Sequence, residues 1–139
     1  MKLGYYSYTS HLDHDVGDMH PEHPMRIIAI NHQLERLGIL QDAYRGGCNH
    51  VSQQDLLRAH KQGYVEQLLV MSPANGSILA SVDTPMAVGS LGAAYQAAGC
   101  VVEALDDLLQ DKVERAFCAV RPPGHHAERN KSMGFCFLN

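Results

Sequence analysis

The chain has 139 residues, 45% hydrophobic and 19% charged, with a formal net charge of −4. That length suits one domain or a large part of one, and the composition excludes a disordered polar chain. The acidic balance argues against a nucleic-acid binder, which needs clustered Lys and Arg, and is compatible with cationic substrates such as basic peptides or polyamines.

In chain order, Leu3 to Tyr8 reads as a first strand. This start is too short and too polar for a signal peptide, and no apolar run approaches membrane-spanning length, so a soluble cytoplasmic protein with no membrane partner is expected. Residues 11–23 are rich in His, Asp and Glu, with His-x-x-His spacing at 11/14 and 20/23. Gly17, Pro21 and the lack of periodicity favour a mobile loop over a fixed metal site. Pro24 suits the first turn of a helix carrying Ile27, Ile30, Leu34 and Leu37 and closed by Gly38. Ser52 to Asp55 is a capping-box variant, and Val65, Leu68 and Leu69 form the apolar side of the next helix. Residues 72–77 have loop chemistry.

The clearest predicted helix runs from about Val88 to Leu109. Val88, Leu91, Tyr95, Ala98, Val102, Leu105 and Leu109 follow each other at helical spacing and predict a core stripe, with Tyr95 as packing. Asp106 and Asp107 are expected on the solvated side. Its many Gly and Ala residues make the helix thin enough to pack closely on a sheet. The apolar run Ala116 to Val120 suits a buried strand of a parallel sheet, which Pro122 and Pro123 end. Cys48, Cys100, Cys118 and Cys136 show no Cys-x-x-Cys pairing and are expected as reduced, mostly buried thiols.

Functional interest concentrates on Arg121-Pro-Pro-Gly-His125-His126-Ala-Glu128, followed by Met133-Gly134-Phe135-Cys136-Phe137. Catalytic groups of open α/β sheets sit at such C-terminal strand ends. Gly124 removes side-chain bulk just before the histidines, allowing backbone or substrate to approach. Histidine titrates near neutral pH, so the pair can divide the roles of general base and of acid or electrostatic partner. The alternative is that both are partly buried loop residues satisfied by backbone carbonyls.

These residues resemble the zinc-dependent histone deacetylase and acetylpolyamine amidohydrolase superfamily, in its class II or bacterial form. Four blocks in the family's order carry the resemblance: His20-Pro-Glu22-His-Pro-Met-Arg26, Asp55-Leu-Leu-Arg-Ala-His60 with Tyr64-Val65, Asp83-Thr84, and the histidine-pair block. The resemblance implies an α/β fold, the N-terminal part of the arginase/deacetylase-type parallel sheet flanked by helices. It implies that residues 1–139 form a single partial domain whose C-terminal half is absent.

The resemblance further implies that His125 and His126 are the catalytic acid/base pair, that Gly134 and Phe135 line a narrow substrate tunnel, and that Asp83 is a rim carboxylate binding substrate backbone. For Asp83 a plain turn or helix-entry role fits the spacing equally. The implied activity is hydrolysis of N-acetyl amides of lysine or polyamine. Zinc is expected for the complete domain, but its ligands in the family come later, so no metal ligand is assigned among these residues and the chain alone should be inactive. An incomplete sheet should expose Phe135, Phe137 and Leu138 and favour self-association as a homo-oligomer. The alternative function is a truncated, non-catalytic relative serving as a binding or assembly module.

Overall fold

The structure, a computed structural model, describes residues 2–139. Strand β1 (Leu3–Tyr6) is followed by a 3-10 turn (Ser10–Asp13), helix α1 (Met25–Arg36) and the short strand β2 (Tyr44–Arg45). Helices α2 (Gln53–Ala59) and α3 (Gln62–Met71) lead to strands β3 (Ser77–Ser81) and β4 (Thr84–Ala87). Helix α4 (Ser90–Leu109) and strand β5 (Arg115–Cys118) complete the regular elements.

β1 is the middle strand of a parallel sheet ordered β2-β1-β5, with Gly4 opposite Tyr44 and Tyr6 opposite Cys118. Because side chains alternate along a strand, Tyr5 and Tyr6 enter different layers. Tyr5 packs with Ile27 and Leu40 on the α1 side, whereas Tyr6 joins Ala97, Cys100 and Ala104 of α4. The sheet is thus covered by a helix on each face, as a parallel sheet requires. A third cluster holds α2, α3 and α4 together through Leu56, Val65, Leu68 and Leu91, with Met86 of β4 and Phe137. The expected helices and parallel sheet are present, and Ser52 caps α2 by accepting the Asp55 N–H at 3.1 Å.

Several expectations need correction. α4 buries its small-residue face, Ala93, Ala97, Cys100 and Ala104, while Val88, Leu105 and Leu109 of the predicted stripe are exposed. Thin side chains let the helix sit close to the sheet, and that closeness decides which face is covered. Asp107, expected in solvent, is buried, accepting from Tyr6 Oη at 2.9 Å and Lys112 Nζ at 2.8 Å. Leu37 and Leu69 are also exposed. Phe137 and Leu138, expected on the surface, are buried in the α2–α4 cluster, and Phe135 is only partly exposed. The surface argument for self-association loses these residues.

The cysteines also differ from expectation. Cys48 and Cys100 form a disulfide, their Cα atoms 4.3 Å apart, while Cys118 and Cys136 remain free. Lack of a close Cys spacing was uninformative because the loop after β2 lies on α4, 52 residues away in sequence. The antiparallel β3–β4 hairpin also went unrecognised. Its second strand begins at Thr84, directly after a turn containing Val82 and Asp83.

Candidate active site

β1 is the point at which the sheet's strand order reverses, since its neighbours β2 and β5 lie on opposite sides. The segments leaving β1 and β5 at their carboxyl ends therefore lie at the strand ends where sites of open α/β sheets usually form. The segment leaving β1 carries His11, His14 and Glu22; the one leaving β5 carries Arg121 and the histidine pair.

The two segments are tied by a buried ionic hub. Arg121, with no exposed surface, places Nε 3.1 Å from Glu22 Oε1 and 2.9 Å from Oε2. Its Nη2 donates to the Glu22 carbonyl at 3.1 Å, and its Nη1 to the His11 carbonyl. His14 Nε2 lies 3.3 Å from Glu22 Oε2, and its Nδ1 is 2.5 Å from Ser90 Oγ. A proton on Nε2 satisfies both sides of that ring, because Ser90 can then donate to Nδ1 while accepting the Ala87 N–H at 2.7 Å. Burial raises the Glu22 pKa, but the His14 hydrogen bond and the Arg121, His14 and Arg26 charges outweigh it, leaving the carboxyl below its ordinary value. The ligand-rich stretch is a loop after its 3-10 turn, as expected, but one anchored in the core by His11, His14 and Glu22, while Asp13, Asp15, Asp18 and Met19 are exposed.

Past the hub, Gly124 approaches the Leu138 carbonyl so closely that any Cβ would collide with it. The residue expected to admit backbone or substrate thus admits backbone. The Ala127 N–H closes a turn on the Gly124 carbonyl at 2.9 Å. His125 and His126 stand on this turn, both exposed, with ring centroids 4.2 Å apart and planes inclined by 52°. This differs from the alternative of partly buried, carbonyl-satisfied loop residues.

A second turn supports the first. Met133 and Cys136 exchange backbone hydrogen bonds at 3.2 and 3.0 Å around Gly134 and Phe135, whose φ values are +58° and +68°. Such positive values are costly for a residue with a Cβ, so Phe135 must be held from outside. The Asp83 carboxylate accepts the Gly134 N–H at 3.0 and 3.1 Å, and Thr84 Oγ1 accepts the Phe135 N–H at 3.3 Å. Thr84 in turn donates to Asp83 at 3.0 Å. Although burial raises the Asp83 pKa, the hydrogen bonds from Thr84, Gly134 and Ser81 outweigh it and hold the carboxyl below its usual range. A Cβ on Gly134 would come within 2.7–2.9 Å of the His126 ring and Cβ. The ring of Phe135 meets His20 edge-on at 4.6 Å. Asp83, Gly134, Phe135 and His126 thus form one contact chain, and His125 joins it through the paired rings.

His60, the last residue of the Asp55–His60 block, supports the histidine turn from behind. Buried, it pairs Nδ1 with the Glu128 carbonyl at 3.0 Å and accepts the Asn139 N–H on Nε2 at 2.9 Å. These partners call for the neutral ring with its proton on Nδ1, and burial lowers its pKa in the same direction. Tyr64 adds a 2.7 Å bond to the Phe137 carbonyl. His60, Tyr64 and Arg121 all fell inside the recognised sequence blocks, but nothing in their spacing shows that they hold backbone rather than substrate.

Among the described residues, no group of three or more His, Cys, Asp or Glu side chains could hold a metal ion. The side chains present therefore do not fit a catalytic zinc centre on their own, which needs three protein ligands. Nor, among the described residues, is any helix long and apolar enough to cross a membrane.

The histidine turn and the tied-back glycine-aromatic turn thus stand together beyond the end of β5, and comparison with known proteins shows which family this α/β chain belongs to. The profile of the histone deacetylase domain matches residues 20–139. The chain belongs to the histone deacetylase family. It is 32% identical to a probable deacetylase of Archaeoglobus fulgidus over 146 aligned positions, covering 100% of this chain and 39% of that protein. A histone deacetylase-like amidohydrolase of Pseudomonas aeruginosa is 40% identical over 87 positions, 63% of this chain and 23% of that protein. In structure, the HDA15 HD domain matches with a TM-score of 0.92 at 28% identity, over 99% of this chain and 40% of that one. The chain thus spans about two fifths of the length of relatives matched along its whole extent.

Proposed function

We propose that these residues are the N-terminal portion of a zinc-dependent deacetylase domain that hydrolyses N-acetyl amides, of lysine in proteins or of polyamines. The observation that carries the reading is the exposed His125–His126 ring pair, fixed from behind by the buried Arg121 hub and the His60 bonds. Amide hydrolysis adds water across the C–N bond, so one proton must leave the attacking water and one must reach the departing amine. One imidazole takes the first through a free ring nitrogen. The other, beside it, supplies the second or balances the charge.

In this reading Phe135 forms an aromatic wall for the acylated chain, and Gly134 leaves the room beside His126 that a side chain would fill. Asp83 acts at the rim, its carboxylate charge serving both the Gly134 N–H and a cationic or amide-bearing substrate. Zinc is expected for the complete domain, and its ligands would then lie outside these residues. The 139 residues alone are expected to show little or no hydrolysis. No nucleic-acid or membrane partner is proposed, and the location is taken as cytoplasmic.

The test is hydrolysis of an acetyl-lysine peptide and of an acetylpolyamine by the full-length protein, with and without a zinc chelator. Release of acetate that the chelator abolishes supports the reading. Absence of release from both substrates, with zinc bound in stoichiometric amount, overturns it in favour of a binding or assembly module.

A further inference from the structure

We propose that the Cys48–Cys100 disulfide is a reversible thiol switch that sets the packing of one wall of the cleft beside His125. The proposal stands independently of the deacetylase reading. A cleft of about 490 Å³ runs between α2 and α4 to the histidine turn. One wall carries Val51 and Leu56, the other Ala98, Val101 and Val102, and Gly124 and His125 close the end. Cys48 lies three residues before Val51, and Cys100 lies on α4 between Ala98 and Val101. The bond therefore joins the two segments that carry the walls.

Three observations mark it as a switch and not only a staple. The loop carrying Cys48 is also registered on α4 by bonds that do not involve the sulfurs: Gln96 Nε2 to the Cys48 carbonyl at 2.7 Å, the Val51 N–H to the Tyr95 carbonyl at 3.0 Å, and Asn49 Nδ2 to Glu103 at 3.3 Å. Gly99 allows that close approach, since a Cβ there would collide with the Asn49 carbonyl. The two thiols would therefore stay near each other and could re-pair. The two residues are also unequally buried: Cys100 has no exposed surface, whereas Cys48 is only partly buried. An external thiolate would therefore approach from the Cys48 side.

Reduction would then proceed by thiol–disulfide exchange starting at Cys48. A thiolate of an external dithiol attacks Cys48 Sγ, the Cys48–Cys100 bond breaks, and its electron pair leaves on the Cys100 sulfur, which takes a proton. The second thiol of the reagent resolves the mixed disulfide, releasing Cys48 as a thiol and leaving the reagent as a disulfide. Two electrons and two protons enter the protein. A peroxide, reduced to water or an alcohol, reverses the change. Cys118, whose Sγ lies 4.0 Å from the Cys100 carbonyl, is a neighbour without a part in this exchange.

The experiment equilibrates the native protein in glutathione buffers of graded ratio, traps thiols by alkylation, locates them by mass spectrometry, and follows amide hydrogen exchange at Val51. The expected result is joint, reversible labelling of Cys48 and Cys100, with Val51 exchange accelerating about tenfold or more on reduction while β1 amides stay unchanged. Cys48→Ser should match the reduced protein in every buffer, and Cys118→Ser should leave the transition intact. A bond that opens only on unfolding, thiols that never pair, loss of the transition in Cys118→Ser, or Val51 exchange indifferent to redox state would each overturn the proposal. The wild-type exchange measurement decides the matter even if the Cys48 variant fails to fold.

Discussion

Replacing Glu22 by Gln keeps the shape of the buried hub and removes its negative charge. Arg121 then stands fully buried with its guanidinium uncompensated, retaining only the carbonyls of His11 and Glu22 and one amide oxygen as acceptors. Removing one partner of a buried ion pair costs about 3–5 kcal/mol, and the retained acceptors place this case near the lower figure. With whole-domain stabilities of about 5–15 kcal/mol, such a loss is a large fraction of the total. Urea unfolding followed by circular dichroism reads it directly. At a slope of about 1.5–2 kcal/mol per molar for a chain of this size, the midpoint should fall by about 1.5–2 M. Arg26→Gln is the internal control: the same carboxylate pairs with Arg26 at 3.2 Å, but that side chain is 56% exposed, so the loss should stay below about 1 kcal/mol. A Glu22→Gln loss no larger than that of Arg26→Gln would refute the hub as the tie between the β1 and β5 segments.

Other outcomes follow from the same contacts. Gly134→Ala combines a positive φ with a clash against His126, so it should cost about 1–3 kcal/mol and shift the His126 imidazole resonances; unchanged resonances would break the proposed link between that turn and the pair. Thr84→Val removes the acceptor of the Phe135 N–H and a donor to Asp83, an expected loss of about 1–3 kcal/mol by urea unfolding, whereas Thr84→Ser should be close to wild type. Stability should also fall as pH drops. His60 and His11 have pKa values lowered by burial, so the unfolded chain binds protons first, and stability is lost from about pH 6.5 downward. Glu22, also lowered, contributes stability above its unfolded pKa and loses it in more acidic solution as pH falls through the folded value. A melting temperature flat between pH 7 and 5 would contradict the assignment of buried neutral histidines.

Elements with strong periodicity were legible in the sequence. The Ser52 cap, the existence of α4 and the parallel strand before the prolines rest on local patterns, although that strand lies at the sheet edge with Phe117 exposed and not buried as expected. The face of α4 was not legible, because the larger residues of its stripe suggested the core while the closeness that alanines permit decided it. Asp107 looked solvated for the same reason; only its position opposite Tyr6 and Lys112 makes burial tolerable. The histidine pair and the Gly134-Phe135 turn stood out because rare residue types adjoin there. Their supports did not, since Thr84, His60 and Glu22 reach Phe135, Glu128 and Arg121 across 51, 68 and 99 residues, the first two through backbone atoms that carry no sequence signature. The Cys48–Cys100 bond depends on how the loop after β2 lies on α4, which no spacing rule reveals.

The most direct test of the proposed chemistry is the rate of acetyl-lysine peptide hydrolysis by the full-length protein and its His125→Ala, His126→Ala and double variants. General acid–base groups contribute about a hundredfold to ten-thousandfold each, and groups that act as a unit are non-additive. Each single variant should therefore lose at least about a hundredfold in kcat/KM, with the double variant losing less than the product of the two. Folded single variants that keep the wild-type rate would contradict the assignment of His125 and His126 as the proton-transferring pair.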